Sequence, residues 1–368
     1  MNSIKTGVEL ELWVVDESGQ LCDGQEITDA HERIKPEFID PLVEIQTEPH
    51  ESQLALRRDL QRTLRTAIRT ADVEGKRLVP LGTPLIDSDA SANCERGRLF
   101  ESIYGEGVKS AKNCAGTHIH FEKGDVVKQL NLLTALDPAL ALLSSSPYYS
   151  GEAIADSSRA LAYRKKCGSE FWGYCDLWDY VGSLDEWNER VDHMYEAFKR
   201  LASERGVSAE TVEASFTPED TVLTPVRLRE CQPTVEWRAP DAALPSQIVR
   251  IATDVGQIVS QAETKSIEYG SPSVRTDRIR LPEFPELRTL SRKAIGSGLR
   301  TVDVRNYLWK MGFDLSAYQP LSPKLRGSQT LSETEARTMR LEQARRLRAD
   351  VEALTDSPTQ STSPILST

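Results

Sequence analysis

No stretch of this chain approaches eighteen consecutive apolar residues, so nothing in it reads as a membrane-spanning helix. The opening residues, MNSIKTGVELELW, carry neither a basic leader nor a long apolar run with a small-residue cleavage site, and the expectation is a soluble, cytoplasmic protein. Six cysteines, Cys22, Cys94, Cys114, Cys167, Cys175 and Cys231, are scattered without C-x-x-C spacing. That argues against a structural zinc site and a disulfide scaffold, and leaves reduced thiols. A G-x-x-x-x-G-K-S/T phosphate loop is missing, and so is a dinucleotide fingerprint after a strand. Positive charge is also short: 45 Lys and Arg stand against 56 Asp and Glu, a net charge of -11. A phosphate backbone needs a basic face to displace its counterions, so neither nucleic acid nor a membrane is expected as a partner.

What is present begins with enough apolar residues, 39% of 368, to bury a substantial core. Residues 8 to 15, 43 to 48, 114 to 122 and 234 to 238 alternate apolar and polar types, the period of half-buried strands with one wet and one dry face. Helical periodicity runs over 53 to 74, where Ser52 is a candidate cap and Gly75 a stop, and over 126 to 143, 186 to 205, 245 to 267 and 286 to 312. Pro/Gly clusters near 80 to 90 and 270 to 285 read as loops. Without repeats or internal linkers, residues 1 to 330 are expected to form a single α+β catalytic domain on an antiparallel sheet surrounded by helices. Ser332 and Glu335 stand in capping-box spacing at the head of a surface helix over 331 to 354, and the Ser/Thr/Pro-rich tail, 355 to 368, reads as disordered.

The strands carry the chemistry on their polar faces. Residues two apart on a strand share a face, so Glu9 pairs with Glu11, Glu44 with Gln46 and Glu48, His118 with His120 and Glu122, and Glu236 with Thr234 and Arg238. Any one of these strands fits an ordinary solvated face. Together they do not, because a wet face carries lysine, threonine and serine, whereas these positions are mostly Glu and His. Stacked carboxylates repel, and a divalent metal is the usual remedy once such a face is enclosed. Oxygen-rich ligands with an occasional imidazole suit magnesium, or manganese, and magnesium suggests bound phosphates. In the absence of a phosphate loop, metals and arginines would have to hold the nucleotide, with Arg159, Arg164, Arg227 and Arg229 as candidates.

Six segments in order, GVELELWVV, PEFIDPLVEIQT, LVPLGTPL, CAGTHIHF, SSSPYYSG to SSRALAYR, and PTVEWRAPD, resemble the glutamate-cysteine ligase type 2 family over roughly residues 5 to 312. These are carboxylate-amine ligases distantly related to glutamine synthetase. The resemblance implies a glutamine synthetase-like sheet of about six antiparallel strands forming a funnel, with ATP entering at one end and amino acids at the other. It assigns Glu9 and Glu11, Glu37 and Glu44, His118 and Glu236 to metal, and Arg238 to the transferred phosphoryl group. Arg159 falls near the substrate in that resemblance, while His120, Arg164, Arg227 and Arg229 stay candidates for the nucleotide on residue chemistry alone.

The implied reaction is an attack of the glutamate γ-carboxylate on ATP, giving a γ-glutamyl phosphate from which an amine displaces phosphate. Cysteine is the acceptor that the resemblance favours, placing the reaction in glutathione biosynthesis. Nothing in the residues reads a thiol uniquely, so another amine, or a non-catalytic relative that only binds nucleotide and metal, stays open, as does assembly into an oligomer.

Overall fold

The computed structural model describes residues 4–166, 173–230 and 232–354. Its hub is the strand β1 (Thr6–Asp16), eleven residues of alternating sequence. Val8, Leu10, Leu12 and Val14 are each at most 1% exposed and face the helices. On the other side Trp13 is fully buried and its indole nitrogen donates to the Leu81 carbonyl at 2.8 Å.

Four further strands form a path with β1: β2 (Ile34–Pro36), β3 (Leu42–Gln46), β5 (Thr117–Glu122) and β7 (Thr234–Trp237). The edge strand β6 (Val226–Arg229) completes the order β2–β3–β1–β5–β7–β6, antiparallel throughout, and β4 (Lys76–Val79) pairs with the far end of β1 off that path. The fold is thus α+β on an antiparallel sheet of about six strands. The polar face of β1 is enclosed, as the Glu and His content of these strands implied. Nine of the eleven β1 positions are buried, because the polar side faces an enclosed cleft instead of bulk solvent.

Long helices cover the apolar side of the sheet. In α1 (Gln53–Val73) Leu56, Leu60, Leu64, Ala67 and Ala71 recur at helical spacing and are buried against β1, β3 and β4. Ser52 caps it by accepting from the Ala55 amide at 3.2 Å, and the chain leaves through Gly75 at φ +67. Helices α2 (Glu95–Tyr104) and α3 (Val126–Ala135) follow, the latter shorter than its apolar pattern. Pro138 removes a donor and converts Asp137–Leu142 into a tighter 3-10 turn.

Helix α4 (Leu184–Glu204) matches its expected span, whereas α5 (Pro245–Ala262) stops early. Its apolar period continues into strand β8 (Ser266–Tyr269), which pairs with β10 (Arg278–Leu281), itself paired with β9 (Ser273–Val274). This small sheet replaces the loop expected near 270 to 285. The stretch 286 to 312 divides into α6 (Phe284–Ser297) and α7 (Val302–Lys310) at Gly298. There φ is +52 and a Cβ would lie 2.9 Å from an Asp156 oxygen, so only glycine fits.

The last described helix, α8 (Glu333–Ala353), opens with the expected box: Ser332 and Glu335 exchange side chain to backbone bonds. It lies at the surface, yet Ala336, Ala344, Leu347 and Val351 join the same buried cluster as the sheet. The tail 355–368, Cys167 and Cys231 lie outside the described residues. No helix among the described residues is long and apolar enough to cross a membrane.

Candidate active site

Strand register brings the acids together. Glu11 on β1 stands directly opposite Glu44 on β3, and Glu9 stands opposite Gln46 on one side and His118 of β5 on the other. His120 faces Glu236 of β7, which in turn faces Arg227 of β6. Glu37, just beyond β2, is returned to the group because its amide donates to the Leu42 carbonyl at 3.2 Å. Like charges directly opposed on neighbouring strands destabilise a sheet, so the Glu11–Glu44 pair needs a compensating partner.

The side chains form three tight groups: Glu11 with Glu37 and Glu44, Glu9 with Glu44 and His118, and Glu9 with His120 and Glu236. Within each group one potential ligand atom from every residue lies within 4.8 Å of the others. Glu9 and Glu44 are shared, so the groups form one continuous acidic seam. The donors are carboxylate oxygens and imidazole nitrogens without a thiolate, a set that fits a hard divalent cation. Three cysteines, Cys94, Cys114 and Cys175, do line the cleft, but none belongs to these groups.

The protonation states divide along the seam. Burial pushes Glu37 up to about 7, with the neighbouring Glu11 charge adding to it. Burial also lifts Glu44 well above the usual carboxylate range, reinforced by Glu9, Glu37 and Glu11, and raises Glu11. At Glu9 burial works upward too, but bonds from His118 and His120 outweigh it and hold the carboxyl below its ordinary value. Glu236 is held well below, because Arg227 and Arg238 overcome the effect of complete burial. Burial and then the Arg238 charge bring His118 down to about 4, so its imidazole is neutral and available as a ligand or acceptor.

Arginines close the other side. Arg238 donates to Glu236 Oε1 at 2.5 Å and Arg227 Nε to Oε2 at 2.8 Å, while Arg229 stands 3.9 Å from Oε2. A carboxylate has about four lone-pair sites, so Glu236 can accept both guanidiniums and still meet a cation. Arg159 is fixed by the backbone carbonyls of Arg238 and Ala239, at 3.3 and 3.2 Å. Its guanidinium lies against Gly116, where a Cβ would be 2.2 Å from the nearest nitrogen, and the Gly116 amide donates to Glu11 at 2.5 Å. Gly116 therefore lets the Arg159 cation approach its backbone closely while its amide holds the Glu11 carboxylate.

Almost every residue singled out from the sequence borders one cleft of about 610 Å³, including Glu9, Glu11, Glu37, Glu44, His118 and Arg238. Arg159, Arg227 and Arg229 line it as well, and Glu236 and His120 lie just beneath. Arg164 borders the cleft too, but its guanidinium is held by Asp137 at 2.5 and 2.9 Å and by Ser291 at 3.0 Å. That engagement places it in a buried ion pair with Asp137 at the edge of the cleft. Glu48 and Glu122 are exposed and outside the cleft lining, with Glu122 4.0 Å from Lys5.

Sequence reasoning missed Asp241. Fully buried, it accepts from the Ser145 amide at 3.0 Å and from Ser157 at 2.9 Å, tying the end of β7 to the segment that carries Arg159. Its signal was the last letter of PTVEWRAPD. The aromatic wall of the cleft, Phe38, Phe100 and Phe216, was not foreseen either, since its members are far apart in sequence.

Residues 5–352 match the sequence model of glutamate-cysteine ligase family 2. A curated relative from Clavibacter michiganensis subsp. michiganensis, named as a candidate glutamate–cysteine ligase 2, is 31% identical over 179 residues, 44% of this chain and 46% of the relative. Among solved structures, the bifunctional glutathione synthetase of Pasteurella multocida superposes with a TM-score of 0.60 at 14% identity, over 95% of this chain and 53% of that one. The glutamate–cysteine ligase of Francisella tularensis in complex with AMP gives a TM-score of 0.49 at 12% identity, over 98% and 96% of the two chains. The matches span about half the length of the curated relative and of the Pasteurella protein.

Proposed function

This chain belongs to glutamate-cysteine ligase family 2, and from that premise we propose that it joins the γ-carboxylate of glutamate to the amine of cysteine at the expense of ATP. One observation supports this reading above the rest: Glu9, Glu11, Glu37, Glu44 and Glu236, drawn from β1, β3, β7 and the turn after β2, converge with Arg238 on one cleft.

A carboxylate is inert toward an amine at neutral pH, so it must first be activated, and transfer of the ATP γ-phosphoryl group to the γ-carboxylate accomplishes that. The amine then attacks the γ-glutamyl carbon and phosphate leaves. Little covalent work falls to the protein; its part is positioning and charge compensation. Divalent cations, magnesium or manganese, would be held by Glu11, Glu37 and Glu44 on one side and by Glu9, His118, His120 and Glu236 on the other, and would neutralise the nucleotide phosphates.

Arg238, aimed by Glu236, meets the charge that develops on the transferring phosphoryl oxygens. Arg159, pinned by two backbone carbonyls beside Glu11, presents a fixed cation to an anionic substrate group. Arg227 and Arg229 extend the positive side toward the nucleotide phosphates.

The test is ADP release with glutamate and ATP, with and without cysteine, and then with ammonia and other amino acids. Cysteine-dependent ADP release supports the proposed acceptor. Stronger release with a different amine would replace it within the same chemistry. No ADP with any amine would leave a nucleotide- and metal-binding protein.

A further inference from the structure

Two surface helices carry charge stripes that match each other. On α1 the outward face, opposite buried Leu56, Leu60 and Leu64, holds Arg58, Arg62, Arg65 and Arg69. On α4 the face opposite buried Trp187, Tyr195 and Phe198 holds Asp185, Glu189, Asp192 and Glu196. All four acids are exposed, as are Arg58, Arg62 and Arg69, with Arg65 partly so. Both stripes run i, i+4, i+7, i+11, covering about 16 Å along a helix. That spacing reads the same in either direction, so the stripes fall into register whether the helices meet parallel or antiparallel.

Within one molecule the stripes cannot serve each other. Helix α1 packs on β1, β3, β4, α5 and α8, whereas α4 packs on α2 and on the short helical segments within residues 209–221. Local partners include spaced neighbours of the same helices, Arg62 with Asp59 at 3.6 Å and Glu196 with Lys199 at 2.7 Å. Arg62 and Glu196 are the exposed members of these pairs, and an ion pair with one member in solvent leaves that member open to a further partner. Leu54 and Val73, 42% and 82% exposed, lie at the two ends of the arginine face and would gain cover in a contact there.

We propose that α1 of one copy docks on α4 of another, the arginine stripe of the first lying along the acidic stripe of the second. A contact of α1 with α1, or of α4 with α4, would oppose like charges, so the pairing is of α1 with α4. Such a contact is either made twice about a two-fold axis, giving a dimer, or made head-to-tail, giving a ring or a chain of copies. A polyanion is the weaker occupant for the arginine face, because the whole molecule carries a charge of -11.

Sedimentation velocity of the full chain tests this at about 0.05 M and about 1 M KCl, where the Debye length falls from more than 10 Å to about 3 Å. Assembly is expected at low salt and monomer at high salt. Reversing one stripe (Arg62→Glu with Arg65→Glu) should give a monomer at low salt, and so should reversing the other (Glu189→Arg with Asp192→Arg). An equimolar mixture of the two reversed proteins should assemble again, since each then offers the charge the other lacks. Circular dichroism checks that both stay folded. A wild type that is monomeric at low salt overturns the proposal. So does assembly indifferent to either reversal, or a folded mixture that stays monomeric. Duplex DNA binding by a monomeric wild type, lost on arginine reversal, would overturn it in favour of a polyanion.

Discussion

Arg238 and Glu236 show how much single side chains in this cleft are asked to do. Arg238 is aimed by one carboxylate oxygen of Glu236, and Glu236 tolerates full burial only because Arg227 occupies the other. Removing one preorganised group that meets developing charge typically costs ~3 kcal/mol, about a hundredfold in rate. Arg238→Ala and Glu11→Gln are therefore expected to lower ATP-dependent ligation at least about a hundredfold while leaving the circular dichroism spectrum unchanged. Near-normal turnover in either variant would refute the site. Arg164 should behave in the opposite way. Its loss strands Asp137, which has no exposure at all, so Arg164→Ala should destabilise the fold by about 3–5 kcal/mol, read from denaturant unfolding. Nucleotide affinity of the folded fraction should be unchanged.

At the scale of elements, the polar strand faces were readable as sequence because a strand has a period of two, and Glu9/Glu11, His118/His120 and Glu236/Arg238 could be assigned to shared faces at once. Their Glu and His content pointed to an enclosed face, but what encloses it was not readable. A solvated face and an enclosed one give the same alternation, and the difference lies in α2, α4 and the residues around Phe216, which close over the sheet from distant parts of the chain. Helix ends were misjudged where local chemistry interrupts the apolar period, at Pro138, at Gly298 and where α5 gives way to β8.

The C-terminal helix illustrates a bond set that no periodicity announces. Arg340 on α8 is 2% exposed and donates to the carbonyls of Pro84, Gly19 and Ile86, at 2.8, 3.1 and 3.3 Å. It thus anchors the loop that follows β4 and the turn after β1. Arg340→Met leaves those buried carbonyls without donors, and a loss of about 3 kcal/mol in unfolding free energy is expected. An unchanged denaturation midpoint would mean that water replaces the guanidinium without cost.

Across the whole molecule, the cleft concentrates protons as well as acids. Glu37 titrates near 7 and Glu44 well above the carboxylate range, so the metal-free chain holds protons there at neutral pH. A cation binding Glu11, Glu37 and Glu44 must displace them. Affinity for magnesium or manganese should therefore rise with pH through about 7. Titration calorimetry in buffers of different ionisation heat should report proton release, and binding independent of both pH and buffer would contradict this account.

The sign for stability follows from the same shifts. A carboxyl raised in the folded state contributes stability that is complete below its unfolded value of 4.5 and is lost as pH rises through about 7 for Glu37. His118, lowered from 6.5 to about 4, acts against this as pH falls across that interval, and the depressed Glu9 and Glu236 lose their contribution only below 4.5. The metal-free chain should thus melt at lower temperature at pH 8 than at pH 6.5, and added magnesium should narrow that difference.

The sequence by itself determined which residue types face which way along each strand, the ordered motifs that place the chain in its family, and the helices that cover the apolar side. Those are local properties, set by alternation, helical spacing and capping chemistry. Only the tertiary structure decided that Glu37 joins the seam, that Arg164 belongs to Asp137, and that Asp241 holds the Arg159 segment. Each of these depends on contacts between residues dozens of positions apart, and a pattern of period two or 3.6 carries no record of them.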